Sequence, residues 1–233
     1  MNSFKKIHLI FCLIFFQTLC FSETHIISIG RDCQVANMLQ HFNLKLLPYP
    51  FDWMDSSDFK GLMLAIENDL QHFLDPNYLK HEGNFIKNTY YNFVFNHFFP
   101  IVNHPLTEEV FKEGRVVTNF LDYLPHVQRV QNQRIENFLS LLSTTQDLVF
   151  FIRTHSNPEE ANVFVEMMKQ KYPHLNFILV VVHDRFELIG DWNIPRVINF
   201  YTTMGPHINK VWWKVAEWKL IFIQLGLIKC RVN

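Results

Sequence analysis

Two uninterrupted apolar runs constrain this chain more than any other feature. Leu148-Val149-Phe150-Phe151-Ile152 and the later run over 176–182 lack the polar alternation of a half-solvated strand and are short for helices. Such runs fit strands buried on both faces, as in a parallel sheet. Between them, Pro158-Glu159-Glu160 opens a helix with proline at its first position and two acids in its first turn, and Pro173 stops it after Tyr172. Strand, helix, strand is a parallel crossover unit, and a weaker strand over 196–200 and a helix over 211–225 extend it. The expected fold class is therefore α/β: a single three-layer domain over 23–233 whose mostly parallel sheet is flanked by helices.

Ligand sites in such sheets gather at the carboxyl ends of the strands. The first strand, His25-Ile26-Ile27-Ser28-Ile29, is broken by Gly30, and from Cys33 the positions Val35, Met38, Leu39 and Phe42 follow helical spacing, which predicts a helix over 33–43. Cys33 thus falls at a strand–helix junction. Helix-terminal N–H groups and Arg31 favour a thiolate there, and Asp32 opposes it. One reading is a nucleophile served by a histidine base; the other is a small residue filling a buried corner. His97 follows an aromatic strand, while His155 and His183-Asp184 each follow a buried one. Asp52, in Tyr49-Pro50-Phe51-Asp52-Trp53, either orients a histidine or fixes loop amides. Arg153 and Trp53 are the substrate-binding candidates, Arg153 for a carboxylate or phosphate, with pairing to an internal acid as its structural alternative. The tryptophans at 212, 213 and 218 read as core.

The intervening segments are plainer. Pro48 and Pro50 enforce an extended stretch. Asp58 reads as the N-cap of a helix whose apolar face is Phe59, Leu62, Met63, Ile66 and Leu70. Asp75-Pro76-Asn77 reads as a turn, and Tyr91, Phe93 and Phe95 alternate as a strand ending near His97. A helical pattern over 108–138, strongest over 116–142, is interrupted by Pro125.

Composition sets the outer bounds. A chain of 233 residues, 48% hydrophobic and 18% charged, can bury one sizeable core. A net charge of −1 gives no electrostatic case for nucleic acid. The 12 histidines have no metal-ligand spacing, and neither GxGxxG nor a P-loop occurs, so no metal and no cofactor is expected. Lys5 and Lys6, the apolar stretch from Leu9 to Phe16 and the small residues near Ser22 fit a secretory signal peptide over 1–22. That reading makes the protein exported, secreted or periplasmic, with no stable membrane span after cleavage and a tether if the signal is kept. Cleavage would leave Cys33 and Cys230, which either pair or stay free.

Ser28-Ile29-Gly30-Arg31-Asp32-Cys33-Gln34-Val35-Ala36 with Tyr49-Pro50-Phe51-Asp52-Trp53 resembles a family described as papain-like cysteine peptidases, whose function is otherwise unknown. Asn96-His97-Phe98-Phe99, a helix bearing Arg129 and Arg134, and Phe151-Ile152-Arg153 match that family's later elements, so the resemblance spans about 25–185. It implies Cys33 as nucleophile and, by order, His97 as base. Phe98 stands where the family often has an acid, which leaves Asp52 as the candidate orienting group. The family name also implies an alternative fold, a papain-like helical half facing a β-barrel half. The function expected is a thiol-dependent hydrolase or acyl-transfer enzyme acting on a peptide, amide or ester. Two alternatives stand beside it: a non-catalytic ligand-binding or carbohydrate-related module, and an SGNH-hydrolase or glycosyltransferase type of enzyme in which the thiol is incidental.

Overall fold

The computed structural model describes residues 23–95, 97–102, 115–202 and 215–229. The segment read as a signal peptide, Cys230, Trp212, Trp213 and residues 108–114 of the expected long helix lie outside them. The strands β1 (Thr24–Ser28), β7 (Leu148–Thr154), β8 (Asn176–His183) and β9 (Val197–Tyr201) form one parallel sheet in the order β1-β7-β8-β9. A papain-like arrangement is not what the chain adopts: the buried strands are joined by crossovers and lie parallel.

The sheet separates two cores, which makes the fold three-layered. On one face Ile26, Phe150, Ile152, Val180 and Val182 pack with Val35, Met38 and Leu39 of helix α1 (Gln34–His41) and with Trp218, Ile221 and Phe222 of α5 (Val215–Gln224). Trp218 is core, as read. On the other face Ile27, Phe151, Phe177 and Leu179 pack with α2 (Phe59–Glu67), α3 (Phe120–Thr144) and α4 (Pro158–Lys171). Strand alternation produces this division, since successive side chains of a buried strand enter opposite layers.

The N-caps follow the sequence. Asp58 accepts from the N–H groups of Lys60 and Gly61, and Asn157 accepts from Glu160 ahead of Pro158. Asp58→Ala is expected to cost about 1 kcal/mol, measured as a lower urea midpoint with an unchanged m-value. Pro125 does not interrupt α3, which runs through it. The proline lies in the second turn on the solvent side, so only the carbonyl of exposed Leu121 loses its helical donor.

A second, antiparallel sheet of β2 (Leu79–Glu82), β3 (Phe85–Asn88) and β4 (Phe93–Phe95) extends the α2–α4 face. Only β4 was expected. The β2–β3 turn is Gly83-Asn84, with Gly83 at φ 61, a hairpin signal masked by the polar, lysine-bearing strands around it. β5 (Ile101–Val102) and β6 (Arg115–Val116) add a short pair.

Candidate functional site

The helices after β1 and β7 leave on opposite faces of the sheet, α1 into one core and α4 into the other. Neighbouring strands whose connections diverge in this way open a crevice at their carboxyl ends. Ile29 N–H donates to the Ile152 carbonyl at 3.0 Å, so the chain after Ile29 and the chain after Ile152 emerge side by side. Cys33 lies on the first and His155 on the second.

The turn before Cys33 is tightly made. A Cβ on Gly30 would come within 2.8 Å of the Asp32 carbonyl oxygen, which only glycine avoids. Asp32 Oδ1 accepts from Gln34 N–H at 2.8 Å and thereby caps α1. Of the two opposed influences expected at Cys33, that of Asp32 prevails, and its carboxylate also takes one of the helix-terminal amides. Burial and the charge of Asp32 push the half-buried Cys33 thiol up, against weaker opposing contributions from its own N–H and Asn37. Among the described residues Cys33 makes no hydrogen bond to a histidine.

Arg153 ties the end of β1 to the loop before α2. It is 1% exposed; one terminal nitrogen donates to the Ile29 carbonyl at 2.9 Å and to Ser56 Oγ at 3.3 Å, the other to the Ser56 carbonyl at 2.8 Å. Ser56 returns two contacts, its N–H to the Arg31 carbonyl (2.8 Å) and its hydroxyl to the Gly30 carbonyl (2.6 Å). Phe59 lies under the guanidinium, 4.7 Å from ring centroid to Cζ. Burial holds Arg153 down to about 10. The residue holds a loop, as its structural alternative had it, but through neutral oxygens instead of an acid: it locks the 50–56 loop to the end of β1.

Asp52 does not orient His97. It is 1% exposed, and its Oδ2 meets Lys45 Nζ at 2.8 Å and accepts from Tyr49 N–H at 2.8 Å. Burial pushes its carboxyl up while Lys45 pulls it down. The loop bounded by Pro48 and Pro50 folds the carboxylate back onto its own amide, so it fixes backbone, as its second reading had it. Trp53 follows at φ 65, a left-handed conformation that costs a bulky residue energy. Its ring meets His97 edge-on, 6.2 Å between centroids. Asp55 pairs with Val94 while Ser56 pairs with Arg31. The 53–56 segment therefore runs from His97 at one end towards the Cys33 turn at the other.

At the carboxyl edge a different pair forms. His155 Nδ1 lies 3.2 Å from Asp184 Oδ1, joining the residue after β7 to the residue after β8. His155 sits at φ 53, and its N–H is held by the Val182 carbonyl at 3.0 Å. His183, adjacent to Asp184 in sequence, makes no hydrogen bond to it: the fully buried ring stacks on Trp192 at 5.3 Å, and burial pushes its pKa down against the charge of Asp184. The His155–Asp184 pairing crosses strands, so its only trace in the sequence is that each residue directly follows a buried run.

The chain is thus an α/β protein with a mostly parallel sheet, Cys33 following β1 and the His155–Asp184 pair following β7 and β8. The chain belongs to the family described as putative papain-like cysteine peptidases, whose model matches residues 24–185. No curated protein and no solved structure matches it. The match covers β1 through β8, and with them Cys33, Asp52, His97, Arg153, His155 and Asp184. Among the described residues no helix is long and apolar enough to cross a membrane.

Proposed function

We propose that the protein is a thiol-dependent hydrolase or acyl-transfer enzyme for peptide, amide or ester bonds, with Cys33 as nucleophile and His155, oriented by Asp184, as base. The observation that carries this reading is the 3.2 Å His155–Asp184 pair, which sets His155 at the end of β7, the strand beside the one that delivers Cys33, and Asp184 at the end of β8. A base held by a third group is the arrangement that activates a thiol or hydroxyl in acyl transfer. Family membership supports the peptidase class. Hydrogen-bond contact between base and nucleophile often tightens only when substrate binds.

In this mechanism Cys33 Sγ attacks the carbonyl carbon, and the thiol proton passes to His155. N–H groups at the start of α1 stabilise the oxyanion. The C–N or C–O bond then breaks as His155 returns the proton to the leaving group. Water, or another acyl acceptor, releases the thioester by the same route. Export through the 1–22 segment belongs to the same proposal.

The test is turnover of a mixed panel of peptides, amides and esters by the full chain and by its Cys33→Ser variant. The expected result is a loss of about 10³-fold or more with an unchanged thermal midpoint. Retained turnover in Cys33→Ser with loss in Asp52→Asn would favour a site of SGNH-hydrolase or glycosyltransferase type. Ligand binding without turnover would favour the non-catalytic module.

The thiol's electrostatics give a pH prediction. Because its pKa is raised, Cys33 is expected to react with iodoacetamide more slowly than free cysteine near neutral pH, with the rate rising into the alkaline range. Asp32→Asn removes a charge that raises the pKa but keeps an acceptor for Gln34 N–H. It is expected to move the alkylation profile to lower pH, read by mass spectrometry of the labelled cysteine.

A further inference from the structure

A cleft of about 150 Å³ lies between Trp53, the His97-Phe98 turn and the middle of α3. Its walls include Trp53, Phe98 and Val127, and its polar groups are those of His97, His126, Gln131 and Arg134, with His126 Nδ1 already held by Arg129 at 2.9 Å. Gln131 is only 3% exposed, yet its Oε1 has no hydrogen-bond partner. A buried amide left unpaired costs about 1–3 kcal/mol unless something else supplies the partner. Arg134 lies three residues on, on the same helix face, and makes no hydrogen bond or ion pair among the described residues. Asp52, the acid on which Arg134 acts, already holds Lys45 at 2.8 Å. The cleft is therefore short of an anion and of a partner for an amide. Partial burial pushes the His97 imidazole down, and Arg134 is the one lining group that always carries a positive charge.

We propose that this cleft binds the carboxyl terminus of a peptide, with the terminal carboxylate on Arg134 and the last peptide group on the Gln131 amide. The side-chain amide carries an NH2 donor group beside its unpaired Oε1 acceptor, the complement of a peptide unit, and a guanidinium matches a carboxylate in a planar fork. In a chain terminus these two groups are adjacent, as Gln131 and Arg134 are along α3. In an acidic side chain, methylenes separate them. Trp53, Phe98 and Val127 cover the apolar part of the last residue. The site uses none of the groups assigned to bond cleavage, so it stands whether or not Cys33 is a nucleophile.

The experiment is calorimetric titration of the full chain carrying Cys33→Ala, which prevents any turnover, with acetyl-Ala-Ala-Leu as the free acid and as its C-terminal amide. The free acid is expected to bind about tenfold or more tightly, the worth of one charge-assisted pair. Arg134→Gln is expected to abolish that preference, and Gln131→Leu to weaken both ligands several-fold. Arg134 is only half-buried, so its variant tests the site even if Gln131→Leu fails to fold. Equal binding of acid and amide, an unchanged preference in Arg134→Gln, or no binding at millimolar peptide overturns the proposal. Inorganic phosphate, or an acetylated and amidated peptide with an internal glutamate, binding as tightly as the free acid overturns the assignment to a chain terminus.

Discussion

Replacing His155 with alanine is expected to lower kcat/KM for Cys33-dependent hydrolysis by about 10²–10⁴-fold, the usual contribution of a positioned general base. His97→Ala is expected to stay within about threefold of the parent, well under the 1.36 kcal/mol that a tenfold change represents. The two imidazoles differ in what holds them. His155 is paired with a carboxylate across two strand ends, whereas His97 meets an indole edge in a cleft at the far end of the 53–56 segment. Asp184→Asn is expected to lose less than His155→Ala, because the imidazole remains and only its orientation and stabilised charge are weakened. All three variants alter partly exposed side chains, so a common thermal midpoint would show that kinetics alone have changed. The opposite ranking, with His97→Ala severe and His155→Ala mild, would return the base to His97 and leave Asp184 a structural partner.

The architecture was legible because it rests on short-range pattern. Pro158 and Tyr172 mark the crossover helix, the apolar runs mark β7 and β8, and Gly30 marks the end of β1, each within a few residues of where the chain places it. The errors lie where one residue was asked to predict a distant one. Pro125 was given the weight of a helix breaker, although an exposed second turn absorbs it. At Cys33 the helix terminus and Asp32 oppose one another in the sequence, and only the fold shows that the Asp32 carboxylate takes one of the terminal amides. The Gly83-Asn84 hairpin lay between lysine-bearing strands with weak alternation. The Asp52–Lys45 pair and the His155–Asp184 pair are tertiary facts. One closes within a loop and the other across parallel strands, and neither spacing corresponds to a local motif.

Arg153→Ala is expected to destabilise the protein by about 3–5 kcal/mol, the range for removing a buried charged group that others depend on. Two buried carbonyls, those of Ile29 and Ser56, would lose their donors, Ser56 Oγ would lose a contact, and a cavity would open against Phe59. Relief from burying a cation works in the other direction: burial, only partly offset by the charge of Glu160, holds this guanidinium down to about 10. Arg153→Met separates these contributions, since it restores most of the volume and removes the charge but donates no hydrogen bond. A urea midpoint between those of the parent and Arg153→Ala would assign the remaining loss to the unpaired carbonyls. A midpoint equal to the parent's would mean that the cost of the buried charge cancels the worth of its hydrogen bonds, and that Arg153 serves position alone. Either way, both variants remove the Arg153 bridge between Ser56 and the end of β1 and leave the Cys33 turn held to that serine only by the direct bonds to the Arg31 and Gly30 carbonyls. Faster iodoacetamide labelling of Cys33 in folded Arg153→Met would therefore report local loosening of the crevice, separately from any change in global stability.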